Sequence, residues 1–346
     1  DIESAISKTL TDEGGAAGFD PLHKAAKKID KDISKKDVEA ILKKMDNVTK
    51  HRDGDYIKED NTKKRVPMVD QDNIDDKPDP WEGVRSSRSY GPVCPIDVAS
   101  MILWDELEFA QQHNFWFMKE EDCLNLNVWT QGLKDGKKRP VMVWLHGGGY
   151  TAGSSCELPT YDGESLSASE DVVVVSINHR LNVLGFLDLS GVDEKYAHSA
   201  NVGMMDVVAA LKWVQANIAN FGGDPGNVTI FGQSGGAGKV ATLMYAPSAR
   251  GLFHRAIMQS GGKPNFRDPE ITRKVGLALL EELGLSRSEV DELKEIPHDE
   301  LLAAGNEAIN KVRGEAQGIR LGWAPVLDGE FLPYQVGDPQ GDALSR

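Results

Sequence analysis

The sequence is poor in cysteine, in basic charge and in long apolar runs, and each shortage removes a class of protein. Only Cys94, Cys123 and Cys156 occur in 346 residues. Three thiols exclude a disulfide-dense scaffold, and the odd count leaves at least one without an intrachain disulfide partner. Lysine and arginine number 39 against 54 acidic residues, for a formal charge of −15. Such a balance lacks the basic footprint of nucleic-acid binding and favours solubility. No apolar run reaches the roughly eighteen residues that a membrane helix needs. The opening DIESAISKTL lacks a basic patch followed by an apolar stretch, so no signal peptide is expected, although a mature secreted form would also lack one. With no H-E-x-x-H and no close cysteine pair, no zinc site is expected, and the chemistry read from the motifs below requires no metal or organic cofactor.

What is present changes character near residue 80. Residues 1–80 hold sixteen basic and nineteen acidic side chains, and they are expected to form a charged, partly helical N-terminal extension. Asp20-Pro21 suits a helix start, and Leu22, Ala25, Ala26 and Ile29 follow at helical spacing. Ser34 with Asp37 resembles a capping box ahead of Val38, Ile41, Leu42 and Met45. Residues 51–65 read as a charged loop, and Asp79-Pro80-Trp81 marks the join to a main domain over 81–346.

In that domain apolar strands alternate with helices. VMVWLHGG (141–148), DVVVVSINHR (171–180), NVTIFGQS (227–234) and HRAIMQSG (254–261) read as strands, and VVAALKWVQANI (207–218) as a helix. The alternation predicts an α/β fold, a mostly parallel sheet covered by helices on both faces. Ligands in such sheets gather at the carboxyl ends of the strands. Two glycine-rich sequences fall there.

The first is Gly232-Gln233-Ser234-Gly235-Gly236, a G-x-S-x-G between the strand Val228–Phe231 and a helix through 237–246. That context defines a nucleophile elbow, in which a strained turn lifts the serine hydroxyl above the sheet. The second is His146-Gly147-Gly148-Gly149-Tyr150. Unobstructed amides there suit an oxyanion, and loss of one such donor typically costs roughly 3 kcal/mol of transition-state stabilisation. Gly148, Gly149 and Gly235 are the expected donors. A phosphate-binding loop is disfavoured because neither G-K-[ST] nor G-x-G-x-x-G is present. His146 is expected to shape the loop rather than act as a base. Tyr150 and Gln233 are candidates for substrate contact, with a purely packed Tyr150 as the alternative.

These pieces resemble the type-B carboxylesterase family, as do EDCLNLNVW (121–129), NVGMMDVVAALKW (201–213), GLFHRAIMQSG (251–261) and APVLDGEFLP (324–333). The resemblance covers roughly residues 78–335. It implies an α/β-hydrolase, here incomplete at the C-terminal side, in which Ser234 forms an acyl-enzyme during hydrolysis of a small carboxylic ester. A non-catalytic ligand-binding or adhesion protein on the same scaffold is the alternative. Two positions depart from the family: Gly235 replaces the usual alanine, and Gln233 replaces the usual glutamate. The family usually joins the equivalents of Cys94 and Cys123 by a disulfide. That would imply secretion or another oxidising compartment and leave Cys156 unpaired, whereas a reduced pair would suit a cytoplasmic homologue. The family's catalytic acid and histidine lie beyond the matched region. After Ser234 only His254 and His298 remain, and neither suits the base, so the C-terminal part is expected either from the rest of a longer or cleaved protein or from a second fragment or chain. The sequence leaves oligomeric state open.

Overall fold

Four successive valines in DVVVVS need burial on both faces, and a central parallel strand provides it. In the computed structural model of the chain, Val173–Ile177 is such a strand, with all five residues buried. The structure describes residues 2–12, 16–17, 19–45, 48–50, 56–58, 89–97, 123–261, 264–315 and 321–344. The chain divides into two compact units.

The described part of the first unit contains α1 (Ile2–Asp12), β1 (Ala16–Ala17), α2 (Phe19–Lys27), α3 (Lys35–Leu42), β2 (Val48–Lys50) and β3 (Tyr56–Lys58). The three short strands pair antiparallel in the order β1-β3-β2. Both expected helices form. Ser34 caps α3, and its reciprocal bonds with Asp37 complete the capping box. Ile6, Leu22, Ala26, Ile33, Val38 and Leu42 make a small separate core. Two features differ from the sequence expectation. Helix α1 is additional, and Tyr56–Lys58 forms a strand inside the stretch expected as a charged loop. The junction at 79–81 lies outside the described residues.

The second unit is built on a five-stranded sheet in the order β4-β6-β5-β7-β8. Its elements are β4 (Leu126–Trp129), β5 (Arg139–Leu145), α4 (Glu164–Glu170), β6 (Val173–Ile177), α5 (Asn182–Phe186), α6 (Val202–Asn217), β7 (Gly223–Gln233), α7 (Gly235–Tyr245), β8 (Arg255–Gln259), α8 (Pro269–Glu282), α9 (His298–Glu315) and α10 (Pro339–Leu344). Strand β4 runs antiparallel to β6, and every other pairing is parallel. The main core joins the apolar faces of β5, β6 and β7 to α6, α7, α8 and α9. Strand β8 pairs with β7 alone among the described residues, and all five of its residues are exposed. Among the described residues no helix is long and apolar enough to cross a membrane.

Two buried polar devices hold the loops after the strands. Arg180, just beyond β6, binds Asp206 of α6 through Nε at 2.9 Å and Nη2 at 2.7 Å, and its backbone N–H reaches the same carboxylate at 2.9 Å. Asn182 has φ +49°, a left-handed conformation that asparagine tolerates better than most residues. Its side-chain amide donates to the Pro95 carbonyl at 2.7 Å.

The cysteine bridge is a correction. Cys94 and Cys123 are both buried and free. They lie side by side, with the Cys123 thiol hydrogen-bonded to Cys94, which together with burial pushes the Cys123 thiol well up. Cys94 Sγ also accepts from the Leu181 N–H at 3.2 Å. Each thiol thus serves the core as a small hydrophobe and weak hydrogen-bonding group.

Candidate active site

Strand β7 ends at Gln233, α7 begins at Gly235, and Ser234 takes the whole reversal with φ +54° and ψ −118°. A non-glycine residue at positive φ is costly, of order 1–3 kcal/mol, and persists only where its surroundings fix it. Three contacts do so here. The Ser234 N–H donates to the Gln259 carbonyl of β8 at 2.9 Å, and its carbonyl accepts from the Gly238 N–H at 3.1 Å. A side chain at Gly236 would come within 2.0 Å of the Leu145 carbonyl, so only glycine lets α7 cross β5 this closely. The serine is exposed and sits at the positive end of the eleven-residue α7. Among the described residues its hydroxyl has no hydrogen-bond partner.

The loop after β5 lies against this elbow. Gly148 and Gly149 are consecutive left-handed residues, at φ +78° and +65°. The Gly148 carbonyl accepts from Ala152 N–H at 3.1 Å, closing the turn and leaving the preceding amides outside it. Among the described residues the N–H groups of Gly148, Gly149 and Gly235 donate to no protein acceptor. A Cβ on Gly147 would sit 3.4 Å from Gln233 Oε1 and 3.8 Å from Ser234 Cβ. The structure therefore brings Gly148, Gly149, Gly235, Gln233 and Ser234 into one exposed cluster.

Tyr150 points elsewhere. Its ring meets Phe186 edge-on at 5.2 Å and its hydroxyl lies 3.3 Å from Thr242 Oγ1. Burial pushes its phenol up to about 12. This is the packed tyrosine of the alternative reading.

Gly235 is closer to the loop than the family's alanine would allow. A Cβ there would lie 2.3 Å from Gly149 N and 2.4 Å from Gly149 Cα. Backbone atoms cannot yield as a flexible side chain can. Gly235→Ala should therefore push the glycine loop off the elbow; if the loop amides serve an oxyanion, kcat of the enzyme completed by the rest of its protein should fall about 10- to 100-fold with little change in KM. Steady-state hydrolysis of a p-nitrophenyl ester reads the effect, and an unchanged kcat in the folded variant would refute it.

None of the described histidines is placed as a base for Ser234. His146 is buried and has Nδ1 2.9 Å from the Gly147 carbonyl, so it shapes the loop. His254 Nδ1 accepts from the Val228 N–H at 3.1 Å and is tied to β7. His298 opens α9, and His198 pairs with Glu330 at 3.0 Å.

Beneath the loop lies a cluster that no sequence motif announces. His146 stacks on His179 with ring centroids 5.0 Å apart, and Nε2 of each ring is buried with no partner among the described residues. Burial, then the nearby Lys239 charge, hold both imidazoles far below the usual histidine range. Lys239 itself is fully buried in α7. Burial lowers its ammonium from the ordinary 10.5 to about 7, opposed by the charge of Glu157. Glu157 is in turn raised by burial. The one signal of the lysine in the sequence is its setting: between glycine and valine in AGKVATLMYA, it has apolar neighbours along the helix.

The Lys239 shift has a sign that can be checked. Between about pH 7 and 10.5 the unfolded chain holds the proton and the folded chain does not. Stability from this group therefore rises with pH through that window and is flat below it. Urea midpoints across pH 7–10 should show this rise, and Lys239→Met should flatten it. An identical slope in the variant would assign the rise to other groups.

A parallel sheet with a serine elbow and a glycine loop at its carboxyl ends defines an α/β-hydrolase. Residues 75–343 match the description "Carboxylesterase family". The chain belongs to the carboxylesterase family. It is 38% identical over 258 residues to the para-nitrobenzyl esterase of Bacillus subtilis (strain 168), covering 75% of this chain and 50% of that protein. Over 185 residues it is 48% identical to carboxylesterase 1D of Rattus norvegicus, covering 53% of this chain and 31% of that one. Among solved structures, a thermophilic PNB esterase superposes with a TM-score of 0.69 at 36% identity, over 82% of this chain and 56% of that one. An esterase from Clostridium hathewayi described as hydrolysing aliphatic aromatic polyesters gives 0.67 at 42% identity, over 83% and 58%. The chain thus spans between about a third and three fifths of the length of these relatives.

Proposed function

We propose that the protein hydrolyses small carboxylic esters through an acyl-enzyme on Ser234. The observation that carries this reading is the strained, exposed Ser234 beside the amides of Gly148, Gly149 and Gly235, which have no acceptor among the described residues. Ser234 Oγ attacks the carbonyl carbon while its proton passes to a base. The carbonyl oxygen becomes an oxyanion facing the amides, where fixed donors stabilise charge as it develops. Collapse expels the alcohol, which takes up the proton, and water then releases the acid by the same path.

An unassisted serine is a weak nucleophile at neutral pH. We assign the histidine that takes its proton, and the acid that orients it, to sequence outside the described residues. Gln233 Oε1, beside Gly147, borders the same opening and contacts the ester.

The test is intact-mass analysis with an alkyl fluorophosphonate. The 37.8 kDa chain alone should gain no adduct within minutes. The same chain joined to, or mixed with, the remaining part of its protein should gain one, located on Ser234. Failure of the completed protein to label would refute the serine-hydrolase reading. Rapid labelling of the chain alone would refute the external base.

A further inference from the structure

A fully buried lysine needs a reason, since removing an ammonium from water is costly unless its hydrogen bonds are replaced. Lys239 lies five residues after the nucleophile, on the helix that the nucleophile begins. Its Nζ donates to the His146 carbonyl at 2.9 Å, its sole hydrogen-bond acceptor among the described residues. That carbonyl belongs to the residue immediately before the three glycines. The bond therefore ties the root of the glycine loop to the helix that carries Ser234.

We propose that Lys239 is a positioning residue that fixes the glycine loop 147–149 relative to Ser234. Other contacts support the need for a tie. Gly148 and Gly149 have no side chains with which to pack, and both occupy left-handed backbone. Thr151 and Ala152 anchor the far end of the turn through the Gly148 carbonyl. At the near end, the His146 ring bonds only to the Gly147 carbonyl of the loop itself and stacks on His179. Lys239 is the side chain that links this near end to α7. Its partly lost proton affinity shows how strongly the site resists charge, a cost retained beside the nucleophile.

Lys239→Met separates positioning from folding. Methionine nearly matches the lysine stem, but it leaves the His146 carbonyl without its donor and Glu157 without the nearby cation, so the variant should fold with a moderately lower melting temperature. If Lys239 positions the loop, the amides of Thr151, Ala152 and Asn182, which donate to the Gly148 and Tyr150 carbonyls, should exchange hydrogen about tenfold faster or more, with the rest of the sheet unchanged. Lys239→Gln keeps a donor and should restore part of the protection. A Met variant with unchanged loop exchange overturns the proposal, as does faster exchange spread evenly over the sheet. Should the Met variant not fold, the Gln variant carries the same comparison.

The kinetic arm rests on the ester-hydrolase reading and is separate. In the completed enzyme, Lys239→Met should lower kcat about tenfold or more while KM stays within about twofold. A wild-type enzyme that never turns over would refute that reading and leave the exchange result to decide the proposal. An equal rise in KM with kcat unchanged would overturn it.

Discussion

Ser234→Ala is expected to lower esterase kcat in the completed enzyme by about 10⁵-fold or more and to abolish the fluorophosphonate adduct. The size follows from what remains. Without Oγ no acyl-enzyme forms, and the amides of Gly148, Gly149 and Gly235 can only stabilise direct attack by water. Removing the serine of a known triad costs on the order of 10⁶ in kcat and leaves about 10³–10⁴ over water. The fold should be indifferent to the change. Ser234 is held by its backbone, through the Gln259 carbonyl and the Gly238 N–H, and its hydroxyl has no partner among the described residues. Unchanged melting with lost turnover is thus the expected pair of results. Retained turnover would mean that the ester is cleaved elsewhere.

Asp206→Ala is expected to produce the largest loss of stability, about 3–5 kcal/mol, the usual cost of stripping one partner from a buried ion pair. The Arg180 and Asp206 side chains are only 11% and 6% exposed. Alanine would strand the guanidinium and also the Arg180 backbone N–H, which shares the carboxylate. Urea unfolding measures the loss, and a change below about 1 kcal/mol would contradict it. The double variant Arg180→Met with Asp206→Leu should recover a large part, since both charges leave together. It should not recover everything, because the backbone N–H remains without its acceptor.

Features encoded locally are legible in the sequence itself. The valine runs, the glycines around Ser234 and the Ser34–Asp37 capping box each declare themselves within a few residues, and all form as expected. Helices α1, α8 and α9 do not stand out in the same way. In α8 the signs are present, with Asp268 capping and Pro269 in the first turn. Its apolar face is meaningful only against α9 and the turn at Asp188 and Leu189. The Arg180–Asp206 and Lys239–His146 contacts span 26 and 93 residues. Such pairs depend on which helix face meets which strand end, and that is set by packing rather than by local pattern. Tyr150 shows the same limit. Its place after the glycines suggests a pocket, yet the crossing of α7 turns it toward Thr242.

The outer edge of β8 carries a further consequence, in solubility. Among the described residues the far edge of β8 is unpaired, and such an edge offers a row of N–H and C=O groups to any extended chain. Here that row is accompanied by Ile257 and Met258, 44% and 50% exposed. Arg255 is the one charge in the five residues that opposes sticky pairing. The last carbonyl of this strand, Gln259, is the acceptor for the Ser234 N–H. Whatever segment settles on the edge, a proper neighbour or a misassembled copy, therefore bears on a strand one hydrogen bond from the nucleophile. The edge open to association and the set of the Ser234 turn thus share one short stretch of backbone.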